Sequence, residues 1–281
     1  MGKAAAWSHK ELDFLKEKYD TMTYREIGNI LGRTMRATKA KAERIGLRKP
    51  VESRYKYIYN RNYFEKIDCA DKAYWMGFIA ADGCVHVKSD GCIRMKLTLS
   101  KKDKGHLVKF NESLDSNIEI RDGKVSPSGA EFHKKTYDKS EIVINSTRFC
   151  RDLISWGITP NKTYSLKLPN FEDKYIKDFL RGFIDGDGSF YIAKRNYNSN
   201  LYRYSVDIVG ASLEFFEQIQ DFLHIKSINS HIYSKRKGNW KLTLSNKHDI
   251  VKLIDMLYED PCIYLDRKYE KAMDMKRKLA V

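Results

Sequence analysis

Two acids stand near the ends of two near-copies of one ten-residue stretch. Tyr74–Gly83 reads YWMGFIAADG and Phe179–Gly188 reads FLRGFIDGDG, so Asp187 follows Asp82 by 105 residues, about the length of one small domain. Each copy is apolar nearly all round and too short to span a membrane, which suits a helix buried in a core. Gly77 and Ala81 stand four apart in the first copy, Gly182 and Gly186 in the second. Residues four apart share a helix face. Each helix therefore carries a groove of small residues where another backbone can approach, and the two helices are expected to pack on each other. Gly83 and Gly188 are expected to stop them as C-terminal caps.

That packing brings Asp82 and Asp187 together at helix C-termini, against both the helix dipole and their mutual repulsion. A divalent cation offsets both effects, and an oxygen-rich, water-retaining site of this kind suits Mg²⁺. A calcium loop starting at Asp185 does not fit. Its sixth position is Phe190 where Gly is needed, and its twelfth is Asn196 where Glu is needed.

The two stretches resemble the paired LAGLIDADG motifs of homing endonucleases in their single-chain, two-motif form, over roughly residues 62–275. The resemblance implies a monomeric, site-specific double-stranded DNA endonuclease of the kind found in mobile genetic elements. Such an enzyme hydrolyses phosphodiesters on both strands with Mg²⁺ or another divalent cation. A long, asymmetric target and staggered 3′ overhangs come with it. Asp82 and Asp187 match the family's metal-binding acids. The earlier motif acid is Asp185 in the second copy but Ala80 in the first. By resemblance, Lys162 and Lys268 are the supporting lysines of the two halves. A water-positioning polar residue is matched by Lys101 in the first half and replaced by Ala211 in the second, so the two sites are expected to be unequal. The alternative on the same scaffold is a non-cleaving DNA-binding regulator or RNA-splicing maturase; intact acids favour the enzyme.

Composition agrees with a nucleic-acid partner. The 281 residues carry 52 Lys and Arg against 37 Asp and Glu, a net +15, beside 18 Tyr, which favours a polyanion. Neither a run of ~20 apolar residues nor a signal-like apolar region is present. The five cysteines form no C-x-x-C pair, which argues against zinc or a disulfide framework. The expected location is the cytoplasm or another reducing, DNA-containing compartment.

The elements that must position these residues give an α+β fold: two pseudo-symmetric αββαββα half-domains packed through the motif helices, about 71–168 and 169–281. They follow a basic linker, 50–70, and a small all-α domain, 1–49. In that first domain a helix capped by Ser8, a second opened by the capping box Thr23-Tyr24-Arg25-Glu26, and a basic third helix resemble a helix-turn-helix. Its Arg36, Lys39 and Arg44 are candidates for DNA contact. In the first half Arg94–Ser100 alternates strictly, which turns Met95, Leu97 and Leu99 to the core and Arg94, Lys96 and Thr98 to a face that could read bases. In the second half Arg203, Ser205 and Asp207 share one polar face and Lys241 and Thr243 another. The turn Lys235-Arg236-Lys237-Gly238 adds charge between strands.

Overall fold

The computed structural model describes residues 6–19, 22–47, 56–125, 136–194, 202–236 and 238–280. The chain forms two compact units, 1–58 and 59–281.

The first unit holds three helices, α1 (His9–Lys18), α2 (Tyr24–Ile30) and α3 (Met35–Arg44). Ser8 and Thr23 each close a reciprocal capping box, with Glu11 and Glu26, so the first two helices start where polar side chains satisfy their free N–H groups. Gly32 takes φ +64° in the turn before α3. The core is small: Leu15, Ile27 and Ala42 are fully buried, packed round by Trp7, Phe14, Leu31 and Ile45. Arg33 ties the unit together, bonding Glu11 at 2.7 Å and lying 4.4 Å above the Trp7 ring.

The second unit repeats one plan twice. The first half runs α4 (Ala70–Asp82), β1 (Gly83–Val87), β2 (Ile93–Ser100), α5 (Lys104–Ser113), β3 (Arg121–Val125), β4 (Tyr137–Asn145) and α6 (Thr147–Ser155). The second half runs α7 (Ile176–Asp187), β5 (Gly188–Lys194), β6 (Tyr202–Gly210), α8 (Leu213–Ile225), β7 (His231–Arg236), β8 (Asn239–Leu244) and α9 (Lys247–Tyr258), then adds α10 (Asp266–Leu279). Each half makes a four-stranded antiparallel sheet, in the orders β1-β2-β4-β3 and β5-β6-β8-β7. Alternation decides the faces: Met95, Leu97, Leu99, Ile142 and Ile144 are buried on one side of the first sheet, and Val206, Ile208, Leu242 and Leu244 on one side of the second. Ser146, Ser212 and Asn246 cap the helices that follow strands. Part of the stretch assigned to the linker also packs, since Tyr63, Phe64 and Ile67 are buried and Trp156 donates to the Phe64 carbonyl at 2.8 Å.

The two halves meet through α4 and α7. A Cβ on Gly77 would lie 1.9 Å from the Phe179 carbonyl oxygen, and one on Gly182 would lie 2.0 Å from the Tyr74 carbonyl oxygen. Tyr74 and Phe179 are themselves motif equivalents, so each glycine receives the backbone of the opposite helix in the same way. One turn on, a Cβ on Gly186 would meet the Ala81 methyl at 2.5 Å, so this step has room for one methyl and not two.

Gly83 and Gly188 end α4 and α7 as expected. They do so in extended rather than left-handed backbone; φ and ψ are −79° and 146°, and −72° and 160°. Glycine is required because a Cβ would stand 2.6 Å from the Ile79 or Ile184 carbonyl as the chain turns straight from helix into strand. Strands β3 and β7 begin three residues later than Ile118 and Ile228, where the sequence pattern places their starts. Ile118 and Ile228 are buried in the connections instead, and the Ile228 N–H closes the end of α8 on the Leu223 carbonyl at 2.9 Å. Helix α10 was not anticipated.

Gly182→Ala should therefore destabilise the 59–281 unit by at least about 3 kcal/mol, beyond ordinary overpacking because the clash is with backbone. Gly105→Ala, whose Cβ would meet nothing within 4 Å, should gain about 0.5–1 kcal/mol of helix propensity. Urea denaturation midpoints of the two variants check the contrast.

Candidate active site

Helices α4 and α7 end at Asp82 and Asp187, and the glycine contacts above bring those ends together. The Asp82 carboxylate oxygen comes within 3.3 Å of where a Gly186 Cβ would stand. Both acids reach solvent, yet the surrounding protein displaces much of the water on their inner sides. Burial, and for Asp82 the charge of Asp187, raises both carboxyls, Asp82 to about 6.

Lys162 and Lys268 stand beside this pair in matching ways. Lys162 Nζ donates to the carbonyl of Gly83, the residue after Asp82, and Lys268 Nζ to the carbonyl of Gly188, the residue after Asp187. Desolvation lowers both ammonium groups, Lys268 to about 8 with help from neighbouring Arg267, while Asp82 and Asp187 act to keep them charged. Their supports differ. Lys162 rides on a 3-10 turn, Lys162–Tyr164, that follows Asn161 at φ +58°, whereas Lys268 sits in the first turn of α10 and is buried. Lys101 is exposed, with its ammonium 3.9 Å from Asp122. Ala211 lines a cleft with Ala80, Lys162 and Asp187.

The residue that fixes α10 is Asp185, fully buried two positions before Asp187. It accepts hydrogen bonds from the Tyr74 hydroxyl at 2.8 Å, the Tyr258 hydroxyl at 2.6 Å and the Leu265 N–H at 2.8 Å. Burial raises its carboxyl even against these three donors. Tyr74 is also 2.9 Å from His106 Nε2, and burial lowers that imidazole to about 3. The Tyr74 hydroxyl gives its one proton to Asp185, so it bonds the neutral ring by accepting from Nε2–H. The network thereby joins α4, α5, α7, α9 and the start of α10. Ala80 at the equivalent position builds nothing of the kind. Arg267 adds a second tie, bonding both Asp103 oxygens at 3.0 and 2.9 Å, and its charge acts on Asp82 and Lys268. Neither role has a local pattern in the sequence, since the partners lie 73 to 164 residues apart; the only hint was an extra motif acid.

Among the described residues no three His, Cys, Asp or Glu side chains cluster to hold a metal. Two solvent-reached carboxylates raised mainly by burial do fit a cation that keeps several waters and takes its other ligands from a substrate phosphate.

Of the candidate DNA-contacting residues, Arg94, Lys96 and Thr98 lie half-buried on the outer face of β2, opposite the core. Arg203 and Ser205 hold that position on β6. Lys241 on β8 bonds Asp207 at 2.7 Å, and Thr243, nearly covered, donates to the same carboxylate. Lys235 and Arg236 belong to β7, with side chains outside the described residues, as is Lys237 altogether. Arg36, Lys39 and Arg44 are exposed on α3 in the other unit, with Lys39 3.9 Å from Glu43.

Two outcomes follow. An acid raised by folding binds its proton more tightly when folded, so Asp82 costs nothing below pH ~4 and opposes folding increasingly as pH rises from about 4 to about 6. In chelating buffer, the wild-type denaturation midpoint should therefore fall across that interval relative to Asp82→Asn; parallel curves would remove the inferred rise of this carboxyl. Asp185→Ala, which strands two buried hydroxyls and an N–H, should cost about 3 kcal/mol or more, read from the same denaturation curves.

Residues 180–277 match the sequence profile of the LAGLIDADG endonuclease family. No curated protein sequence matches the chain. Among solved structures, the meganuclease I-SmaMI bound to an uncleavable DNA with a TTGT central four is similar with TM-score 0.52 and 17% identity, covering 74% of this chain and 88% of that one. The LAGLIDADG meganuclease I-AabMI bound to uncleaved DNA is similar with TM-score 0.50 and 15% identity, covering 74% and 89%. The chain thus carries the two-sheet fold of LAGLIDADG meganucleases, and its second half-domain matches that endonuclease family in sequence.

Proposed function

We propose that this chain is a site-specific endonuclease for double-stranded DNA that works as a monomer with a divalent cation. The observation that carries the reading is the paired arrangement at the helix ends: two crowded carboxylates, each followed by a glycine whose carbonyl holds a partly desolvated lysine. Stability alone would favour Lys or Arg at those C-termini.

Asp82 and Asp187 would hold the cation, which supplies an activated water and a charge sink for the scissile phosphate. Lys162 and Lys268 place positive charge beside the position where the phosphodiester gains negative charge. At about 8, Lys268 also stands close enough to neutral pH to hold or release a proton. The outer sheet faces, basic at Arg94, Lys96, Arg203 and Lys241, would lie in the major groove, which admits strands. In the N-terminal unit, α2, the Gly32 turn and α3 form a helix-turn-helix, with Arg36, Lys39 and Arg44 exposed on the second of these helices for DNA contact. The target is a long, asymmetric duplex.

Because Lys162 and Lys268 are held so differently, the two strands are cut at unequal rates and a nicked species accumulates. On a supercoiled plasmid carrying the target with Mg²⁺, Asp82→Asn and Asp187→Asn should each lose at least about a hundredfold of double-strand cleavage while still binding the duplex. Undiminished cleavage by either variant would overturn the assigned roles. Tight binding by the wild-type chain without cleavage would point to a regulator.

A further inference from the structure

The two sheets are related by the motif repeat, so the register fixes which side chains are equivalent. Gly83 pairs with Leu97 and Gly188 with Ile208, which makes Lys96 the counterpart of Asp207. Leu97 pairs with Ile142 and Ile208 with Leu242, which makes Glu141 the counterpart of Lys241. All four side chains lie on the outer faces, away from the buried residues of their strands. The charges at the two positions are inverted between the halves: Lys then Glu in the first sheet, Asp then Lys in the second.

Both acids are held in place. Asp207 is 19% exposed, bonded to Lys241 at 2.7 Å, to the Ser205 hydroxyl at 3.3 Å and to the Thr243 hydroxyl. Glu141 is 21% exposed and bonded to Lys139 at 2.6 Å, with Lys96 and Arg121 further stabilising its charge. On a face that must meet phosphates, acids weaken binding unless they read bases. In the major groove guanine offers two acceptors to a lysine and cytosine offers its amino group to a carboxylate, and the two edges lie side by side in one base pair. A fixed acid beside a lysine matches that edge.

Resting on the endonuclease reading, we propose that Lys96 with Glu141 and Asp207 with Lys241 determine specificity by reading a G·C pair in opposite senses at dyad-related positions of the target. The base facing Lys96 is guanine, and its dyad mate facing Asp207 is cytosine, so the target departs from palindromy at that position.

The test selects bound sequences from a random duplex library with the full chain in chelating buffer, so that cleavage is not involved. Wild type should select guanine and cytosine at one pair of dyad-related positions. The double variant Asp207→Lys with Lys241→Glu, which copies the first-half pattern, should shift the second of these from cytosine to guanine by about tenfold, leaving the other positions unchanged. If that variant fails to fold, Asp207→Asn should lose the cytosine preference at that position alone. Unchanged selection by a folded variant overturns the inference while leaving the endonuclease reading intact; a wild-type chain that selects no sequence overturns the endonuclease reading itself.

Discussion

The approach of two helix backbones at Gly77 and Gly182 is the constraint on which the second unit depends. At 1.9 and 2.0 Å for an added Cβ, no other residue fits, and the close approach adds dispersion to the Tyr74–Asp185 hydrogen bond that also links the pair. Everything chemical follows from it. The acids meet because the helices cross where they do, and each sheet begins at that crossing because its first strand leaves the helix directly at Gly83 or Gly188.

The symmetry of that crossing contrasts with the asymmetry of what surrounds it. The second half carries a buried carboxylate, Asp185, that gathers two tyrosines and a backbone N–H, and an extra helix whose first turn holds Lys268. The first half holds Lys162 on a short turn. Both lysines nevertheless end on equivalent carbonyls. Equivalent geometry is thus reached by unlike means, and rigidity at the two lysines need not be equal.

Much of this was legible in the chain and some was not. The motif repeat, the alternation of Arg94–Ser100 and the cap residues Ser146, Ser212 and Asn246 are local signals, and local signals survive in one dimension. Asp185 shows the limit: nothing near it foretells Tyr258 or Leu265, which the fold delivers from more than seventy residues away. Gly83 and Gly188 show another. Their type and their place at the helix ends were informative, but the steric reason against the preceding turn was not visible in the letters. Arg267 and Asp103, bonded across 164 residues, left no trace at all.

Trp75 and Phe78 on α4 pack against His106 of their own half, but the face carrying Gly77 and Ala81 is covered by a helix that is 105 residues away in the chain. At a synthesis rate of about 5–20 residues per second, the first half emerges from the ribosome roughly 5 to 20 seconds before its partner helix exists. During that interval this one face of its most apolar helix has no cover, and a chaperone or the ribosome surface is needed to shield it. The spacing between the two motifs therefore sets not only where the acids meet but also how long the nascent chain is exposed to aggregation.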